Sequence, residues 1–341
     1  MTVLVVNSCG PRTSLQDTGR SGFQRYGVAN SGAMDGLALA AANILVGNAP
    51  GTAAIELMLV GGSFGVEDGS TRIAVAGAPC AIALEGRPVA HSTAVAIEPG
   101  QTLTIGSMQA GVYAYLAVGG GFDWPADLGS LSLHQRAALG GFHGRAFQAG
   151  DRIPLGPGGP ADAPVLGLPA LPLDGKAPVR VVLGPQDDYF SQAGVATFLS
   201  CTYRVSQEAD RMGYRLTGPR IEHSIGFNIV SDGIVSGSVQ VPGSGEPIVM
   251  MADRQTTGGY PKIATVISAD LRVVAQRRPG DGLRFELVGV KEAQQIARAR
   301  VAQLRALAAL ARPLRDGLPP PEELLGLNLA GAAVDALARD S

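Results

Sequence analysis

Between residues 55 and 118 the chain offers a run of short, β-rich apolar segments, at 55–59, 72–76, 80–84, 93–97, 102–105 and 112–118, each separated from the next by turn residues. None is long enough for a well-formed helix, and close regular spacing of this kind predicts a barrel or a sandwich. Glycine composition supports this reading. The chain has 47 Gly in 341 residues, well above ordinary usage, and they fall between apolar runs as tight turns do. Residues 98–101, Glu-Pro-Gly-Gln, read as a hairpin joining two of these strands.

The chain is long enough to bury a large core and to divide into two or three parts. Residues 156–178 are rich in Pro and Gly and form the expected connection. The predicted division is a β-rich half over 1–160, a second over 178–290, and a helix with a tail over 291–341. Helices are expected at 33–46, 187–199 and 290–314, with short ones at 131–139 and from 269. The first of these follows a polar, Gly-rich loop, an arrangement that suits a carboxylate or a phosphate as well as a plain helix cap. Two sequence pairs recur in the same order. Arg20-x-Gly-Phe23 with Gly27 parallels Arg211-x-Gly-Tyr214 with Gly218, and the Pro-Gly turn at 99–105 parallels that at 279–285. An ancient duplication of a β unit would produce both, and would place the two Arg-bearing loops equivalently.

Several function classes find no support. A net charge of −2 gives no electrostatic basis for nucleic-acid binding. The three cysteines, Cys9, Cys80 and Cys201, are too far apart for a metal motif and odd in number for a disulfide framework. His91, His134, His143 and His223 also lack metal-ligand spacing. No signal peptide and no transmembrane run is apparent, so the expected location is cytoplasmic.

The densest chemistry lies in residues 240–263. A Pro-Gly turn precedes an apolar strand at 248–252, and Asp253, Arg254, Gln255, Thr256, Thr257, Gly258, Gly259, Tyr260, Pro261 and Lys262 follow at once. Lys262 stands out, because only Lys176, Lys262 and Lys291 among the 27 basic residues are lysine. A strand that ends in such a loop is a common way of supporting a binding site.

This segment resembles the family of the 5-oxoprolinase C subunit, also known as allophanate hydrolase subunit 2, KipA or biotin-dependent carboxyltransferase. So do TSLQDTGRSGFQRYGVANSGAM from Thr13, NILVGN from Asn43, DRMGYRLTG from Asp210, SDGIVSG from Ser231 and NLAGAAVDA from Asn328. The resemblance follows the family's order and covers most of the chain. It implies a mainly β fold of cyclophilin-like β-barrel architecture in two β-rich halves, with a few helices and a C-terminal helix. It also implies a partner chain resembling the 5-oxoprolinase B subunit, or allophanate hydrolase subunit 1.

Three activities follow from the resemblance: ATP-dependent opening of 5-oxoproline to glutamate in a complex, carboxyl transfer from carboxybiotin to urea or a related amide, and regulatory binding without turnover, as in KipA. The chain carries neither a Met-Lys-Met biotinylation site nor a Walker A sequence. Both enzymatic activities need donors for a carbonyl oxygen that gains negative charge and an acceptor for an N–H. The expected catalytic pair is Asp253 and Lys262. Arg211, Gln240, Arg254, Gln255, Thr256, Thr257, Gly258, Gly259 and Tyr260 are the expected substrate-binding residues. Asp17, Arg20, Ser31, Asp35 and Asn43 form a secondary loop set, and no metal ligands are expected.

Overall fold

The computed structural model describes residues 1–158, 164–173, 175 and 177–314. The expected tail beyond 314, with its Pro-rich stretch and the motif at 328–336, lies outside the described residues, as do Lys176 and part of the 156–178 connection.

The amino-terminal half is a two-layer β structure. One layer has the strand order Arg152–Pro154, Val3–Cys9, Gly62–Glu67, Thr102–Met108, Cys80–Leu84 and Arg87–Pro88. The other runs Ser14–Gln16, Ala54–Met58, Tyr113–Val118, Thr71–Gly77 and Ala94–Ile97. Strand alternation sorts the side chains. Leu15, Ile55, Leu57, Ile73, Val75 and Leu116 face the first layer and join Leu4, Val6, Phe64, Leu103 and Ile105 in one core. Residues of the opposite parity, including Ala54, Ala74, Ala76, Tyr113 and Tyr115, belong to a second core shared with the carboxy-terminal half.

That second core is built around helix α1 (Gly36–Leu45), whose residues from Leu37 to Leu45 are all buried. A helix of Ala, Leu and Ile around its whole circumference requires cover on every side. Sheet, barrel and the C-terminal helix provide it here.

The carboxy-terminal half is an eight-stranded sheet in the order Gly282–Leu283, Tyr203–Val205, Gly213–Thr217, Ile248–Met250, Ser238–Gln240, Lys262–Val266, Val179–Leu183, Phe285–Leu287. Its first and last strands are separated in the chain by Arg284 alone, so the two edges meet and the sheet closes into a barrel. Closure removes the exposed edges that an open sheet would leave. Helices α2 (Gln192–Ser200) and α3 (Leu271–Ala275) are short, and α4 (Val290–Leu310) is long and packs against α1. The fold is mainly β in two β-rich halves with a few helices, as the sequence and the resemblance implied.

Local departures have physical reasons. The turn at Glu98–Gln101 is present, with Gln101 N–H donating to the Glu98 carbonyl at 3.0 Å. It is not a hairpin, because Ala94–Ile97 and Thr102–Met108 belong to different layers and the turn carries the chain across the sandwich. The expected helix at 131–139 is only a 3-10 turn, Gln135–Ala137, capped by the His134 imidazole. The helix expected at 187–199 breaks into a 3-10 turn, Asp187–Tyr189, and α2, because Phe190 is extended and Ser191 caps anew.

The two proposed repeats fare differently. The Pro-Gly turns match closely. Glu98 N–H is bound by Gln101 Oε1 at 2.9 Å and Arg278 N–H by Asp281 Oδ2 at 2.8 Å, and Gly100 and Gly280 both adopt positive φ. The Arg-bearing segments do not match. Gly22 sits at φ +90° in an open loop, whereas Gly213 starts a strand packed on Val249.

Candidate functional site

Buried arginines join the halves: Arg254 reaches Gln24, Arg272 reaches Asp35, and Arg211 reaches Gln16, Gly32 and Glu56. Arg211 lies two residues before the strand Gly213–Thr217, and its Nε and Nη2 donate to both oxygens of Asp253 at 2.8 and 3.0 Å. Nη1 donates to Glu56 Oε1 at 2.6 Å, and Nη2 reaches Gln16 Oε1 at 3.1 Å and the Gly32 carbonyl at 2.8 Å. Glu56 is in turn held by the Tyr115 hydroxyl at 2.6 Å and Met34 N–H at 3.0 Å. Burial disfavours the guanidinium charge, but Asp253 and Glu56 outweigh it and hold its pKa well above the ordinary value. Asp253 is thus placed with both oxygens occupied. Arg211 is the group that links the barrel to the amino-terminal sandwich, through Glu56, Gln16 and Gly32.

Arg254 is equally engaged, donating to the Ile234 carbonyl at 3.1 Å, Ser236 Oγ at 2.8 Å and Gln24 Oε1 at 2.8 Å. The secondary loop set is also largely saturated. The Asp17 carboxylate accepts from Gly19 N–H, Leu131 N–H and the hydroxyls of Ser130 and Ser132. Asn43 bonds Leu39, Thr52 and Asn48. Arg20 is buried against the Ser132 and Asp127 carbonyls, with its Nη1 unpartnered. Ser31, at φ +54°, has an unpartnered buried hydroxyl. Asp35 answers the question of the loop before α1: its own carboxylate caps Leu37 and Ala38 N–H and is held by Arg272 and Gln276. Of the two readings of this loop, an external-anion site or a plain helix cap, the helix N-terminus shows the cap, with a carboxylate from the chain itself in place.

Lys262 is buried, yet its Nζ donates to Asp232 Oδ2 at 2.7 Å, and that carboxylate lies at the surface. Gln186 Nε2 joins the same oxygen at 3.2 Å. The hydrogen bond from Lys262 holds the Asp232 carboxyl below its usual value. Across the sheet Lys262 pairs with Gln240, beside a β-bulge.

Of the other candidate residues, Gln255, Thr257 and Tyr260 are exposed, whereas Gly258 and Gln240 are buried. Gln240, Gln255 and Tyr260 line an open cleft of about 490 Å³ together with Met250, Asp210, Arg12 and Arg136. The volume falls within the range typical of small-molecule sites. Gln240 Nε2 makes one long bond, 3.4 Å, to the Tyr260 carbonyl. Thr256 and Thr257 border the segment, which pairs at Thr257–Gly258 with Asp232–Gly233. Gly258 and Gly259 do not serve as left-handed hinges, since neither has positive φ. Gly258 leaves room for two side-chain ends: a Cβ there would lie 2.5 Å from Ile234 Cδ1 and 2.7 Å from Gln240 Nε2, so one or both would have to shift.

The structure therefore brings Asp253, Arg211 and Arg254 together as an internal network. It brings Gln240, Gln255 and Tyr260 together as a cleft wall, and sets Lys262 apart with Asp232. Sequence reasoning missed Glu56, Asp232, Arg12 and Arg136. Glu56 had a signal, an acid within an apolar strand, and Asp232 lay in a quoted motif. Arg12 and Arg136 belong to no chemical pattern and meet the cleft only through the fold. Among the described residues there is no group of three or more His, Cys, Asp or Glu side chains placed to hold a metal, and no helix is long and apolar enough to cross a membrane.

Residues 26–287 match the carboxyltransferase domain, subdomain A and B. The 5-oxoprolinase C subunit of Haemophilus influenzae is 39% identical over 291 residues, covering 84% of this chain and 92% of that protein. Its Escherichia coli counterpart is 36% identical over 315 residues, covering 92% and 99%. The crystal structure of K. lactis urea amidolyase superposes with a TM-score of 0.82 at 27% identity, over 94% of this chain but only 20% of that much longer one. The shared barrel and sandwich, and the extent of the match to whole C subunits, place this chain in the carboxyltransferase-domain family that includes the 5-oxoprolinase C subunits.

Proposed function

We infer that this chain is the C subunit of an ATP-dependent 5-oxoprolinase, an amide-processing enzyme that opens 5-oxoproline to glutamate with the B subunit as its partner. The observation that carries the reading is the near end-to-end match to two 5-oxoprolinase C subunits. The cleft suits such a substrate. A lactam presents an N–H and a C=O side by side, and a glutamine carboxamide offers a complementary acceptor and donor. Gln240 and Gln255 are the groups proposed to read that edge, with Tyr260 as a further donor. Lys262, set apart with Asp232 but paired with Gln240 across the sheet, is proposed to position Gln240 from behind the cleft wall rather than to meet the carbonyl oxygen itself. Asp253, Arg211 and Arg254 are proposed to position this loop rather than to touch substrate. The proposed division is 1–160, 178–290 and 291–341, with the site where the first two parts meet.

The residues of this chain do not fit ATP at the helix start that most resembles a phosphate site, because Asp35 and its partners fill it. ATP use is assigned to the other subunits. In a second reading, favoured by the superposition on urea amidolyase, the same amide-reading wall serves carboxyl transfer from carboxybiotin. The test is ATP-dependent glutamate formation from 5-oxoproline by the purified chain with its B subunit plus the third component. Turnover that requires this chain supports the reading. No turnover, with urea accepting carboxylate from carboxybiotin instead, replaces it by the second.

A further inference from the structure

The cleft has a feature that an amide alone does not call for. Its amino-terminal wall is cationic. Arg136 projects from the exposed 3-10 turn Gln135–Ala137, and its guanidinium has no hydrogen bond or ion pair among the described residues. Arg12 has one loose contact, 3.5 Å to Asp210 Oδ2, and its side chain is 45% exposed. Asp210 is itself fixed, because its Oδ1 accepts from Met212 N–H at 2.8 Å and Gly213 N–H at 3.3 Å. The third cation of the cleft, Arg215, is already matched by Glu208 at 3.0 Å. Against Arg12, Arg136 and Arg215 stand only Asp210 and Glu208, so one positive charge in the cleft is uncompensated. The opposite wall is the neutral amide and phenol set of the barrel.

We propose that Arg136, with Arg12 beside it, takes a carboxylate on the substrate, so that this cleft selects small anionic amides over neutral ones. The assignment rests on the functional reading above and deepens it. A guanidinium fork matches a carboxylate in two parallel hydrogen bonds, and a partly enclosed cleft strengthens them relative to open water. The amide edge would then lie toward Gln240 and Gln255, and the anion toward the sandwich. Recognition would need both halves, and the Arg211 network fixes how they meet. Neutral amides such as urea would lose the anionic contact while keeping the amide one.

The test uses the assembled complex of this chain with its partner subunits. KM and kcat are measured for 5-oxoproline and for 2-pyrrolidone, the same ring without the carboxylate, with wild type, Arg136→Ala, Arg136→Lys and Arg12→Ala. Arg136→Ala is expected to raise KM for 5-oxoproline about 10- to 100-fold, with kcat changed much less. Arg136→Lys should recover part of the loss, and any turnover of 2-pyrrolidone should be the same in all four proteins. The side chains are exposed, so the variants should fold as wild type does. Glutamate formation by wild type with KM unchanged in Arg136→Ala and Arg12→Ala overturns the carboxylate subsite alone. No glutamate formation by wild type overturns the functional reading and this assignment with it.

Discussion

Arg211 and Arg136 carry the same group in opposite circumstances. Arg211 is buried, and all three of its guanidinium nitrogens donate to partners in two halves of the molecule. Arg136 stands in an open cleft, with no partner among the described residues. The loop at 253–262 shows the same contrast along a few residues. Asp253 and Arg254 point inward to filled hydrogen-bond networks, whereas Gln255 and Tyr260 point outward. A dense polar segment is thus two devices. One locks the sandwich to the barrel, and the other presents unengaged groups to whatever enters the cleft.

The strongest way to break this comparison is at the lock. Arg211→Ala would leave Asp253 and Glu56 buried without their cation, which costs about 3–5 kcal/mol. Urea denaturation should show a correspondingly lower midpoint, or loss of soluble protein. A near-wild-type midpoint would mean that the network does not hold the halves together. A smaller effect is expected at the junction of the two devices. Gly258→Ala would press a methyl on Ile234 and Gln240, for roughly 1–3 kcal/mol of overpacking. Activity should fall with it, as Gln240 is displaced.

The mildest effect concerns Asp232, which is exposed. Its carboxyl is held below the ordinary value chiefly by the hydrogen bond from Lys262. A depressed folded-state value means the contact contributes at neutral pH and is lost only as pH falls through that lower value. An NMR titration of the Asp232 carboxyl should therefore show a midpoint below 3.8, returning toward 3.8 in Lys262→Met. An unshifted midpoint in wild type would remove Lys262 from its assigned place.

Much of the fold was legible because alternation and turns are local. The strand at 80–84 was located to the residue, and the helix expected at 33–46 is α1, Gly36–Leu45. The hairpin at 98–101 was misread because a turn's sequence specifies its own geometry and not which layer the next strand joins. The identity of the polar loop was also legible, from its residue types. Which of those residues were available was not. The partners of Arg211 come from positions 16, 32, 56 and 253, and no local pattern announces that they converge. Arg12 and Arg136 were invisible for the converse reason: Arg136 has no partner among the described residues and Arg12 only one loose contact to Asp210, and only the three-dimensional structure shows it.

The central claim is that the outward face of the loop acts on substrate while the inward face holds the structure. The direct measurement is glutamate formation from 5-oxoproline by the assembled complex carrying Gln255→Ala with Tyr260→Phe, alongside its urea denaturation midpoint. The account predicts activity reduced about 10- to 100-fold with stability within about 0.5 kcal/mol of wild type. A folded double variant with wild-type turnover would contradict it.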